Sequence, residues 1–171
     1  MDNIKIRQAN TGDAENLLNF FRKVGSETDF LTFDGNGVGM KTEQEVEHLK
    51  QYDNLKYGFY LVATDEDGNI VGQSAITQDY PKSASSSHIY SLGICILKDY
   101  WGMGIASRMM EKLIDHAKDI GVIRLDLFVV TANDRAIKLY KKFGFKIEGT
   151  LRKCHKIDNE YEDEYIMALI F

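Results

Sequence analysis

The sequence is short of the residues that mark disulfide, metal and membrane proteins. It has two cysteines, Cys95 and Cys154, in 171 residues. They lack CxxC spacing, so no disulfide framework is expected. Cys95 lies in the apolar run "LGICIL" and reads as a small core residue. The four histidines, His48, His88, His116 and His155, form no HxxxH or similar pair, so no metal site is expected. The one proline sits in the polar loop "YPKSASSS". No apolar run approaches the length needed to span a membrane. "MDNIKIRQ" has no apolar h-region, so no signal peptide is expected and the cytoplasm is the expected location.

What is present is ordinary for a soluble globular chain: 44% hydrophobic and 27% charged residues. Its length suits a single domain, residues 1–171, with a real core. The formal net charge of -5 argues against a nucleic-acid or anionic-membrane partner and is compatible with a cationic substrate. The pattern predicts strand, two helices, three strands, helix, strand, helix, two strands. "IKIRQA" alternates as a strand, and Leu17, Leu18, Phe21 and Val24 recur at helical spacing with Thr11 or Asp13 as cap. Residues 27–41 and about 153–162 read as loops that flank a pocket, and Thr42 with Glu45 as a capping box. "YGFYLVAT" and "IVGQSAIT" form a hairpin across "DEDGN". Ile105, Met109, Leu113 and Ala117 make one helical stripe, widened by Met110 and Ile114 and ended by Gly121. "NDRAIKLYKKFG" is a helix capped by Asn133 and stopped by Gly144. The unit through 88–130 should be a parallel crossover, and "FKIEGTLRK" and "YEDEYIMALIF" close the chain as strands.

The most informative stretch is "LGICILKDYWGMGIASRMMEKL", residues 92–113. Gly102 and Gly104 stand where a strand passes into a helix. Small residues there let a ligand approach the backbone, and a helix start offers unpaired N–H groups and a partial positive charge. Such a junction suits a phosphate, or is simply a tight turn. A Walker loop would need GxxxxGK and is absent. A dinucleotide fingerprint would need a third glycine where Ser107 stands, and Asp126 falls mid-strand instead of at a strand end.

The stretch resembles the acyl-CoA signature of the GNAT superfamily of N-acetyltransferases. The usual form is Gln or Arg, two residues, Gly, one residue, then Gly or Ala; here Trp101 stands in place of Gln or Arg. A "YWG" opening resembles the ribosomal-protein and polyamine acetyltransferase branch. "NDRAIKLYKKFGFKIEG" (133–149) is similar to the family's second motif, and "IRQANTGDAENL" and "GTLRK…YEDEYIMALI" resemble its two ends, so the likeness covers nearly the whole chain.

The resemblance implies an α/β fold: a mixed, mainly antiparallel sheet of about seven strands, about four helices, and a splayed parallel pair at the acyl-CoA site. It implies an acetyl-CoA-dependent N-acetyltransferase acting on a primary amine of a small molecule, polyamine or peptide, without a metal. A non-catalytic acyl-CoA sensor on the same fold is the alternative. Backbone around Ile94, Cys95 and Ile96 would hold the pantetheine. The amides of Trp101, Gly102, Met103, Gly104, Ile105 and Ala106 would bind the pyrophosphate, with the Ser107 hydroxyl nearby. Asn133 and Tyr140, seven residues apart, share a helix face over roughly 10 Å of rise. Asn133 would bond the cofactor arm. Tyr140 would be the general acid, because a phenol with a pKa of about 10 is protonated at neutral pH. Glu27 is the expected substrate contact. Glu27, Asp29, His88, Tyr90, Ser91 or water could serve as general base. Asp158, Glu160, Glu162, Asp163 and Glu164 make an acidic stretch that would suit a basic acceptor or simply face solvent. A homodimer is the expected assembly.

Overall fold

The computed structural model describes residues 3–53, 55 and 57–171. In chain order, Lys5–Gln8 forms β1, Ala14–Gly25 α1, Thr42–Lys50 α2, Gly58–Thr64 β2, Ile70–Gln78 β3 and Ile89–Ile96 β4. Ile105–Asp119 forms α3, Arg124–Val130 β5, Asp134–Lys142 α4, Lys146–Ile157 β6 and Glu160–Ile170 β7. The strands make one sheet in the order β1-β2-β3-β4-β5-β7-β6. Every neighbouring pair is antiparallel except β4 and β5, which are parallel and joined through α3. This is the expected architecture.

Helices cover both faces of the sheet. Phe59 stacks on His116 of α3, whereas the next residue, Tyr60, meets the His48 ring of α2 edge-on. Adjacent strand residues point to opposite faces, so α2 and α3 lie on opposite sides. The stripe of α3 is the core of its side: Ile105, Met109, Leu113 and Ala117 are each at most 1% exposed. On the other side, Leu17, Leu18, Phe21 and Val24 of α1 are buried, and α1 packs on α2 and β3.

Three local readings change. Asp13 does not cap α1. Its carboxylate takes two 2.7 Å hydrogen bonds from Arg7 and one of 2.9 Å from the Asn10 N–H, while Asn10 caps the short turn before the helix. The capping box at α2 shifts by one residue: Gln44 Oε1 accepts from the Lys41 N–H at 2.8 Å. Glu45 instead turns inward at 1% exposure, with Oε2 3.4 Å from His48 Nδ1. Finally, β6 is longer than expected. Residues 153–157 continue the strand and not a loop, because a bulge between Leu151 and His155 lets pairing resume as far as Ile157 opposite Glu160.

Truncating a residue in the α3 stripe leaves a cavity that the close-packed sheet cannot fill. Leu113→Ala should therefore lower stability by about 2–5 kcal/mol in urea unfolding. A loss under about 1 kcal/mol would mean that the stripe is not the core it is described as.

Candidate active site

The site begins where strand pairing stops. β4 and β5 pair at Ile89 with Arg124, Tyr90 with Leu125 and Ser91 with Asp126; among the described residues the pairing ends there. Beyond it, β4 runs on to Ile96 and β5 to Val130, so the strands splay. The register against β3 shows which backbone groups this leaves open. Leu97 donates its N–H to Val71 O, and Asp79 donates to Ile89 O. Hydrogen-bonded positions alternate along an antiparallel pair. The amides of Ser91, Gly93 and Cys95 therefore face β3, and those of Ile94 and Ile96 face the gap. This corrects the expectation for Cys95, whose backbone is used by β3. Its side chain, not its amide, reaches the site.

The glycine turn closes one end of the gap. Gly102 and Gly104 have φ of 78° and 74°, in the left-handed region, and a Cβ at either would meet nothing within 4 Å. Glycine is required there by backbone conformation, and the space beside it is open to a ligand. No side chain caps α3, and no acidic residue sits in its first turn. The amides of Ile105, Ala106 and Ser107 thus begin the helix at its positive end. The amide of Trp101 is already bonded to Lys98 O at 3.1 Å, so it is not among the donors expected of the turn. Trp101 has another task. Its indole Nε1 donates to Ile96 O at 2.8 Å, and the Arg135 guanidinium lies 3.0 Å above its ring centre. Met103 is 59% exposed and is not among the residues that line the cavity beside the turn.

A cavity of about 750 Å³ fills the gap and extends towards α1. Ile94, Cys95, Ile96, Gly102, Gly104 and Ser107 line its turn side, together with Trp101, Ile105 and Ala106. Asn133 and Tyr140 line it from α4, on one helix face as their spacing requires. Asn133 Oδ1 also accepts the Ala136 N–H at 3.2 Å, so it caps α4 as well. Tyr140 is 6% exposed, and burial, with a smaller contribution from Cys95, holds its phenol well above the usual tyrosine range. Burial likewise pushes the Cys95 thiol up to about 12. The cavity is thus a weakly solvated environment that penalises both phenolate and thiolate.

Glu27 is not brought to this cavity. Its Oε2 accepts the Lys98 N–H at 2.7 Å, which ties the loop after α1 to the segment before the glycine turn. The candidate bases are elsewhere too. His88 and Asp29 are exposed, Tyr90 is buried on the α3 side, and Ser91 Oγ donates to Asp79 at 2.8 Å. Two polar residues that do line the cavity, Gln73 and Arg135, escape the sequence reading; Arg135 follows the Asn133 cap by two positions. Glu164 also lines it, one of the five acids expected to suit a basic acceptor or to face solvent. Among the described residues no cluster of His, Cys, Asp and Glu could hold a metal ion.

A seven-stranded mixed sheet opened beside a glycine turn is an acetyltransferase architecture, and residues 28–145 match the acetyltransferase (GNAT) family, to which the chain belongs. Among individual proteins, it is 38% identical over 105 residues to the L-amino acid N-acetyltransferase AaaT of Escherichia coli. That match covers 61% of this chain and 64% of the relative's length. The crystal structure of a GNAT-family acetyltransferase from Streptococcus pneumoniae superposes with a TM-score of 0.92 at 34% identity, over 98% of this chain and 99% of that one. An acetyltransferase structure from Salmonella typhimurium, described with its cofactor acetyl-CoA, shares the fold at a TM-score of 0.84 over 99% of this chain and 94% of that one; at 16% identity it shows the fold alone.

The contrast between the two thiols is directly measurable. Cys154 is exposed, whereas Cys95 is partly exposed at the cavity and burial pushes its thiol up to about 12. At pH 8 a disulfide reagent should therefore label Cys154 well before Cys95, because the thiolate is the reactive species. Rapid labelling of both in the folded protein would contradict the described environment.

Proposed function

We propose that the protein transfers an acetyl group from acetyl-CoA to a primary amine by direct attack in a ternary complex. One observation carries the reading: unpaired β4 backbone leads from the start of α3 to the Tyr140 side chain within one cavity. The names of the relatives support it, since AaaT is named for L-amino acids and the Salmonella neighbour for bound acetyl-CoA. The residues present fit that cosubstrate. The amides of Gly102 to Ser107 and the Arg135 guanidinium offer an anion site of the right chemistry for a pyrophosphate. The amides of Ile94 and Ile96 would pair with the pantetheine arm as a missing strand would. Asn133 would donate its Nδ2–H to the same arm while its Oδ1 caps α4.

Bound in this way, acetyl-CoA supplies the acetyl group as a thioester. The protein's task is to orient that carbonyl, exclude water and provide a proton for sulfur. The acceptor ammonium first gives one proton to solvent. Its nitrogen then forms the C–N bond as the C–S bond breaks. Tyr140 donates its phenol proton to the departing thiolate and recovers one from the nitrogen, which leaves the amide and a free thiol. Cys95 shows why the transfer is reasonable. A thiolate released beside it meets the same weakly solvated surroundings that push the Cys95 thiol up to about 12. Such a thiolate is a stronger base than one in water and takes a proton readily.

The test is release of free thiol from acetyl-CoA with a panel of amines, including amino acids, polyamines and peptides. Tyr140→Phe should lower kcat by on the order of 10²–10³ with little change in the KM for acetyl-CoA. An unchanged kcat would remove Tyr140 from the mechanism. Tight CoA binding with no thiol release for any amine would instead indicate a non-catalytic acyl-CoA sensor.

A further inference from the structure

The side of the cavity formed by α1 and the loop that follows it has a distinct chemistry. Phe21 and Val24 of α1 and Phe30, Leu31 and Phe33 of the following loop form an apolar wall. The Phe21 and Phe33 rings pack edge to face, 5.5 Å apart at 80°. Of the described residues lining the cavity, two are charged. Arg135 is stacked on Trp101. Glu164 is on β7, opposite Val130 at the C-terminal end of β5. It therefore shares a sheet face with Phe128, which also lines the cavity.

Glu164 is held towards the aromatic loop by a local device. Leu151 lies opposite Glu164, but the next pair is His155 with Glu162, so residues 152–154 of β6 bulge against the single residue 163. Lys153 sits in the bulge at φ 57° and donates its N–H to Asp163 Oδ1 at 2.8 Å. Regular alternation would carry His155 two residues further along the hairpin. The bulge keeps it beside Glu164, with Nδ1 3.5 Å from Glu164 Oε1. Its Nε2 donates to Asp29 O at 2.7 Å, immediately before the Phe30–Phe33 wall. One imidazole thus lies between the carboxylate and the aromatic loop: bonded to Asp29 O through Nε2, it pairs with Glu164 when Nδ1 is also protonated, and both side chains are largely buried, at 13% and 17% exposure.

We infer that this side of the cavity binds a primary amine carrying an apolar group of about aromatic size, with Glu164 as the carboxylate that receives the ammonium. The five apolar side chains take the substituent, and His155 is a positioning residue that fixes Glu164 and the loop against each other. A polyamine fits poorly. Among the described lining residues no carboxylate besides Glu164 is present to pair its second and third ammonium groups, and unpaired buried charge is costly. The identity of the reacting end rests on the acetyl-transfer reading; the ligand chemistry of the pocket rests on the wall and Glu164.

Titration calorimetry on the protein saturated with CoA, which cannot react, tests the pocket without turnover. Phenethylamine should bind at least about tenfold more tightly than spermidine. E164Q, of nearly equal size, should weaken phenethylamine by about tenfold or more while leaving CoA affinity unchanged. Phe30→Ala should erase the preference over spermidine. In thiol-release assays H155Q should raise the KM for the amine without raising that for acetyl-CoA, which a general loss of structure would not do. Equal phenethylamine affinity in folded E164Q, or tighter binding of spermidine by the unaltered protein, would overturn the inference. Amine binding as stated with no thiol release would support it and sink the acetyl-transfer reading instead.

Discussion

Everything at the candidate site depends on a parallel strand pair that stops early. β4 and β5 are held together for three residues on each strand, and then part. A buried strand with one open side carries backbone donors and acceptors that must find partners. β4 tolerates this because its other side is fully engaged with β3, from Gly72 opposite Ile96 to Gln78 opposite Tyr90. The strand is therefore rigid but half-unsatisfied, a condition that favours an extended polar ligand over closure of the sheet.

The surroundings keep the gap open. The Trp101 indole occupies Ile96 O, so the last gap-facing carbonyl of β4 is satisfied before any ligand arrives. The same indole supports Arg135 at the start of α4. Glu27 anchors the loop after α1 to Lys98, and His155 anchors its next residues to β6. Two short polar contacts just before Phe30 therefore fix the start of the aromatic loop, which has no regular secondary structure between α1 and α2.

How much of this was legible in the sequence follows from the range of each signal. The α3 stripe, the Asn133 cap and the seven-residue spacing to Tyr140 are local patterns, and helical periodicity expresses them directly. The parallel pair also follows from pattern, since a strand–helix–strand unit through α3 makes a long crossover. What escaped depends on register or on distant contacts. Cys95 and Ile94 are neighbours in one apolar run, and composition cannot say which amide faces β3. Glu164 looks like one acid among five until the bulge at Lys153 is known. Its partner His155 reaches Asp29, which lies 126 residues away in sequence. Glu27 has the look of a substrate contact, an acid in a pocket-lining loop, but its carboxylate accepts the Lys98 N–H instead.

The central claim is that the open side of β4 is the ligand-binding backbone of the protein. Residue-resolved amide hydrogen exchange, measured by NMR with and without CoA, tests it most directly. The amides of Ile94 and Ile96 should exchange rapidly in the free protein and become protected when CoA binds, while that of Cys95, bonded to β3, should be protected in both states. Tight CoA binding that leaves Ile94 and Ile96 unprotected would contradict the account.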